Sequence, residues 1–308
     1  MSNNQGNREL LSLGNNVNSA EQAKLNLCNG LYATGSGKAK YIFSSYFSQK
    51  ELDIIENFKI NVRESYTGNY KLNKFGSLVK IGIDRKIEQT SPSSDTEFTE
   101  VMNYILDNKT AVSFISMSAV GLMHNMAECL GINMETISLT ISSVRNDESD
   151  LDYNNDLRGN RFHLDLGYGV RIAKAYIGEE TIFADINSSD DRNYDDNRGC
   201  RQSTYKHNTH TAYKTEVAIF NKGKTEPGAV HSIPCLSQQR LFFLLDWEES
   251  EIGSERVASP SSSDAKDLSL HNQLIVERAI TQIKNSITDE LIFPLDINGL
   301  VLNESESY

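Results

Sequence analysis

The chain has 308 residues, 38% hydrophobic and 23% charged, with a mean hydropathy of -0.45, which is the composition of a folded globular protein with room for a substantial core. Its formal net charge of -12 argues against a broad nucleic-acid surface, and no apolar run approaches the length of a membrane span. The four cysteines, Cys28, Cys129, Cys200 and Cys235, form no CxxC pair, so neither a disulfide framework nor a cysteine zinc site is expected, and a reducing cytoplasm is the default setting.

The first thirty residues are rich in Asn, Gly, Ser and Gln and are expected to be loosely ordered, with no basic start and apolar stretch to suggest a signal peptide. The stretch "TGSGK" (34–38) lacks the glycine a phosphate-binding loop needs, since Tyr32 holds that place, and Ala39 follows Lys38 where Ser or Thr is required. Residues 48–62 suit a short helix capped by Ser48, and 77–88 alternate like a strand, followed by a loop at 90–95. Helices are expected over 95–108 and 118–131, the second stopped by Gly131, with strand-like runs at 111–117 and 136–144.

From about 160 to 247 the pattern turns to β, with strands near 160–166, 169–177, 180–185, 213–220, 228–232 and 239–246. A long polar stretch, 187–212, interrupts them. A polar linker at 258–267 then precedes an amphipathic helix at 268–287. The implied class is α+β with a mainly β core, a jelly-roll or cupin-like barrel buttressed by helices. Residues 1–30 form a loose leader, 31–250 a single domain with its β core at about 136–247, and 251–308 a linker, helix and tail.

Two segments carry chemistry. In "RFHLDLGYG" (161–169), alternation puts Phe162, Leu164 and Leu166 on one face and Arg161, His163 and Asp165 on the other. In "PGAVHSIPCLSQQRLFFLLDW" (227–247), His231 ends a short strand and Arg240 opens an apolar one, with Arg240, Phe242 and Leu244 on one face. Burying an arginine there is costly unless an anion pairs with it. Two histidines and a carboxylate are the ligand set of the facial triad of non-haem Fe(II) enzymes, which leaves metal positions open. A nearby arginine would hold a carboxylate co-ligand.

The pattern His163-x-Asp165…His231-x8-Arg240 resembles the Fe(II)/2-oxoglutarate-dependent dioxygenases, which are built on a double-stranded β-helix, and its His-to-Arg spacing is similar to that of the prolyl-hydroxylase branch. The resemblance spans roughly residues 160–247. It implies Fe(II) on His163, Asp165 and His231, and 2-oxoglutarate chelated to the iron with its distal carboxylate on Arg240 and Tyr176. Arg171 would touch cosubstrate or substrate. Arg171 and Tyr176 are an odd number apart, so they share a face only if the strand carries a bulge.

The implied reaction consumes O2 and 2-oxoglutarate and releases succinate and carbon dioxide. The carboxylate at Asp165 favours hydroxylation over the halogenation of relatives that carry a small residue there. The substrate would be a small molecule or amino-acid-like compound, and the acidic stretches 146–156 and 190–196 would favour a cationic one. No nucleic-acid or membrane partner is expected, and the oligomeric state is left open. Other readings are a protein side-chain hydroxylase, a cupin-like metal protein that does not use 2-oxoglutarate, and a non-catalytic binding module. Of the other histidines, His207 and His210 suit a solvated loop, His124 a core or boundary position, and His271 a surface.

Overall fold

The computed structural model describes residues 12–13, 17–58, 60–72, 78–80, 98–145, 161–165, 169–185, 200–201, 208–222, 228–234 and 239–247. The loop at 90–95, the acidic stretches 146–156 and 190–196, the linker 258–267, the helix at 268–287, and His207, His271 and Cys235 lie outside the described residues.

Strand β1 (Ser12–Leu13) is followed by helix α1 (Ala20–Gly35), which corrects the expectation of loose order for residues 20–30. The Ser19 hydroxyl, which accepts from the Gln22 backbone N–H, starts the helix. Strand β2 (Tyr41–Ser45) leads to helix α2 (Gln49–Asn57), which Ser48 and Glu51 cap reciprocally, as the sequence pattern suggests. Strands β3 (Tyr66–Leu72) and β4 (Leu78–Lys80) precede helices α3 (Phe98–Ile105) and α4 (Lys109–Leu130).

Helix α4 corrects the strand expected at 111–117. Asn108 caps the Ala111 N–H at 3.0 Å, and burial of Val112, Ile115, Ala119, Leu122, Met126 and Leu130 follows the helical period without a break to Gly131. A short apolar run fits either element, and here the cap and the continuing period decide for helix. Gly131, at φ 63°, closes it in the left-handed conformation.

The remaining strands are β5 (Ile137–Val144), β6 (Arg161–Phe162), β7 (Val170–Ile177), β8 (Ile182–Ala184), β9 (Cys200–Arg201), β10 (Thr209–Thr211), β11 (Glu216–Asn221), β12 (His231–Ser232) and β13 (Arg240–Trp247). The main sheet runs β1-β2-β11-β7-β13-β5-β3-β4, antiparallel except for β1–β2. A smaller antiparallel sheet runs β10-β8-β12, and β6 pairs with β9.

Register separates the two faces of the main sheet. Ile42, Ile219, Ile172, Leu245, Leu139 and Tyr70 stand opposite one another from strand to strand and pack into the core shared with the helices. The neighbouring row, Phe43, Ala218, Ala173 and Leu244, faces the other way, toward the smaller sheet. There Phe183 of β8 stacks on Tyr41 at 4.7 Å and meets Phe43 and Phe220 edge-on. Strands β2 and β11 are buried on both faces because each is covered twice. The architecture is thus mainly antiparallel β with helices, one face of the main sheet backed by helices and the other by a second sheet.

Cys28 of α1 and Cys129 of α4 form a disulfide, both sulfurs fully buried. This corrects the expectation that the cysteines stay apart, and with it the cysteine-based ground for a reducing compartment. Chain distance hides the pair, since packing of α1 on α4 is what joins them. No helix among the described residues is long and apolar enough to cross a membrane.

Candidate metal centre

His163 and His231 form an isolated antiparallel bridge between the end of β6 and β12, exchanging both backbone hydrogen bonds at 2.9 and 3.0 Å. Partners in such a pair point their side chains to the same face, and the two rings lie 4.6 Å apart. Phe162 and Leu164 pack the opposite way against Ala184, Val230 and Ile182. Phe162 and Leu164 thus take the face expected of them and His163 the other; Asp165, beyond the end of β6, also meets the histidines, through its side-chain contacts.

One ligand atom from each of His163, Asp165 and His231 falls within 4.8 Å of the others. Asp165 turns Oδ2 to His231 Nε2 at 3.2 Å and Oδ1 to His163 Nε2 at 3.7 Å. Burial opposes ionisation of Asp165, but His231, Arg171 and His163 outweigh it and hold the carboxyl well below the usual carboxylate range. The trio is half-buried at His163 and Asp165 and buried at His231.

The donor chemistry of His231 fits a metal. Its Nδ1 lies 3.0 Å from the Ala229 carbonyl, which can only accept, so Nδ1 carries the proton. In the neutral ring Nε2 is then a bare lone pair aimed at a carboxylate oxygen. In the imidazolium Nε2–H donates to Asp165 instead, the form that helps hold that carboxyl ionised. With the ring neutral the Nε2 lone pair is available to a cation, and an Nδ1–H bonded to a carbonyl is how metal-binding histidines are usually oriented. Phe220 at 4.7 Å and Phe183 at 5.9 Å hold the ring in place.

Arg171 joins the cluster. Its Nη1 contacts Asp165 Oδ2, while Nε and Nη2 reach Asp246 Oδ2 at 3.0 and 2.6 Å. Burial alone would ease proton loss from Arg171, but Asp165 and Asp246 more than offset it and fix the positive charge. Lys222 Nζ meets Asp246 Oδ1 at 2.6 Å. Sequence reading missed Asp246 and Lys222. The signal for Asp246 was present, since it continues the Arg240, Phe242, Leu244 alternation; Lys222 sits just past the end of β11, where no pattern marks it.

Arg240 starts the same face of β13. It is buried, its Nε donates to the Glu179 carbonyl at 2.9 Å, and its guanidinium lies 4.2 Å over Phe242. Gly178, at φ 82°, allows this approach, because a Cβ there would come within 2.6 Å of the Gln239 carbonyl.

Tyr176 is not brought to the metal ligands. It packs between Phe47 and Phe243 in the helix-side core, and its hydroxyl pairs with Ser118 of α4 at 2.8 Å. The pairing of β13 with β7 shifts register between Leu241 and Phe242, opposite Tyr176, so a bulge is present, yet it leaves Tyr176 and Arg171 on opposite sides of the sheet. His210 lies on β10, not in a loop, with Nε2 3.0 Å from Asp185 Oδ2. His124 is exposed on α4 beside Glu128, a correction to the core or boundary place expected for it.

No protein-family model and no curated protein matches the chain. Among solved structures it is similar to a prolyl 4-hydroxylase from Phytophthora capsici, at 9% identity over 86% of this chain and 79% of that one, TM-score 0.37. It is also similar to a full-length Neurospora crassa protein in complex with alpha-KG, at 10% identity over 74% and 78%, TM-score 0.33. A third is a dioxygenase for auxin oxidation in rice, at 8% identity over 73% and 77%, TM-score 0.36. Scores this low carry no argument for this chain, whose chemistry is read from the three converging ligands.

Proposed function

We propose that the chain is an Fe(II)- and 2-oxoglutarate-dependent oxygenase on a double-stranded β-helix, hydroxylating a small-molecule or amino-acid-like substrate. The observation that carries this reading is the convergence of His163, Asp165 and His231 within 4.8 Å, with the His231 Nδ1 proton committed to a backbone carbonyl. The donor set is two imidazoles and one carboxylate, the set suited to non-haem Fe(II) with open positions. Bound there, the iron supplies activation of O2 coupled to decarboxylation of 2-oxoglutarate to succinate.

The protein's residues do the rest. His231 and His163 are fixed through the backbone bridge, and Asp165 supplies the charge that offsets the metal's. Arg240, buried at the opposite end of this face of β13 from Asp246 and roughly 20 Å from it along the strand, is the cation this reading assigns to the distal carboxylate of the cosubstrate, whose charge would offset the cost of burying it. The aromatic wall of Phe183, Phe220 and Tyr41 keeps water from one side of His231. In this reading one catalytic unit extends to about residue 250 and takes in α1 from Ala20, since the boundary expected at 31 falls inside that helix.

The test is an anaerobic titration of the full chain with Fe(II) and 2-oxoglutarate, reading the visible charge-transfer band of the chelate. A band lost in His163→Ala and weakened in Arg240→Ala is the expected result. Iron bound without a band would sink the 2-oxoglutarate assignment in favour of a cupin-like metal protein.

A further inference from the structure

We propose that Asp246, backed by Lys222, is a positioning residue for the metal ligand Asp165 and acts through Arg171. The inference rests on the reading of His163, Asp165 and His231 as a metal site, and deepens it. The two histidines are held by a backbone bridge, but Asp165 lies between β6 and β7 in no strand, so its orientation is set by side-chain contacts. Arg171 supplies the contact. It reaches Asp165 with Nη1 and turns its other edge, Nε and Nη2, to Asp246.

Arg171 and Asp246 are direct cross-strand partners on β7 and β13, so the main sheet fixes their separation. Lys222 closes the row. Its side chain is fully buried, its backbone N–H donates to the Gly169 carbonyl at 3.1 Å at the entry to β7, and its ammonium holds Asp246 Oδ1. The charges alternate from Asp165 to Arg171, Asp246 and Lys222, in contact throughout. An arginine alone on a ligand carboxylate would compete with a dication for it; Asp246 pulls the guanidinium back and shares its charge. Nothing in the ligand set itself requires Asp246, so its effect on the metal must travel through Arg171.

The experiment measures Co(II) affinity of the metal-free full chain by calorimetry, together with the visible spectrum of bound Co(II). Wild type is expected to bind and His163→Ala to lose binding; if wild type does not bind, or His163→Ala binds equally, the metal reading itself fails. With that reading intact, Asp246→Asn should weaken Co(II) about 10- to 100-fold and alter its spectrum. In an Arg171→Met background the same change should matter less than about twofold, because the intermediary is gone.

Wild-type affinity in Asp246→Asn, or an equal loss in both backgrounds, overturns the proposal. Should Asp246→Asn fail to fold, the charge-balanced pair Asp246→Asn with Lys222→Met replaces it. Weakened Co(II) binding with a near-native melting profile is then expected, and wild-type binding overturns the proposal.

Discussion

His163 and His231 are hydrogen-bonded to each other through both backbone groups, so two residues distant in sequence present their imidazoles side by side. Their burial differs, with side chains 26% and 9% exposed. Replacing either with alanine should abolish Fe(II) or Co(II) binding. The costs in stability should diverge, because His231 fills space against Phe220 and Phe183 while His163 borders solvent. His231→Ala is expected to lose about 1–3 kcal/mol and His163→Ala less than about 0.5. Denaturant titration of the two metal-free variants checks this, and equal losses would contradict the packing argument.

Gly178 governs how closely the chain after β7 presses on the start of β13. Its φ of 82° and the 2.6 Å approach to the Gln239 carbonyl leave no place for a methyl group. Gly178→Ala should cost about 1–3 kcal/mol of stability as the strained backbone relaxes. Because Arg240 is displaced in the process, 2-oxoglutarate affinity measured on the Co(II)-loaded protein should fall, while Co(II) affinity holds. Unchanged 2-oxoglutarate affinity, with the loss of stability observed, would separate Arg240 from the cosubstrate.

The Cys28–Cys129 disulfide spans 101 residues and joins α1 to α4, on the side of the sheet away from the metal ligands. A link of this span stabilises mainly by restricting the unfolded chain, by about 2–4 kcal/mol. The Cys28→Ala, Cys129→Ala double variant should therefore unfold at lower denaturant concentration while binding Co(II) with unchanged affinity. Identical midpoints for oxidised and reduced wild type would show that the link contributes nothing.

Much of the site was legible because strand alternation is strict. The spacing of His163 and Asp165 suggested a shared face, although Asp165 reaches it by side-chain contacts beyond the end of β6, and Arg240 and Asp246 share a face of β13. What was not legible depends on contacts between distant segments. Helix α4 was read in part as a strand because the short run 111–117, with five apolar residues and two serines, fits either period; its cap at Asn108 and the helical repeat beyond Ser118 settle the matter only when taken together. Lys222 is defined by its contact with Asp246, and the cysteine pair by helix packing, neither of which leaves a local pattern. Tyr176 shows the sharper limit. Its odd separation from Arg171 already set the two on opposite faces of a regular strand; what was not visible is that the register shift against β13 leaves them there.

Tyr176 gives the fold a pH dependence of defined sign. Burial pushes its hydroxyl well above the ordinary value near 10, against the smaller opposing effect of the Ser118 hydrogen bond. The folded state keeps this proton at pH values where the unfolded state releases it. Stability from this group is therefore full below the unfolded pKa and is lost as pH rises from there through the folded one. The slope is about 1.4 kcal/mol per pH unit above pH 10. Tyr176→Phe removes this slope, at a cost of about 1 kcal/mol at neutral pH for the lost hydrogen bond. Urea titrations of both proteins between pH 8 and about 11 should show curves that converge at the alkaline end. Parallel curves would place the alkaline sensitivity elsewhere and leave Tyr176 a packing residue only.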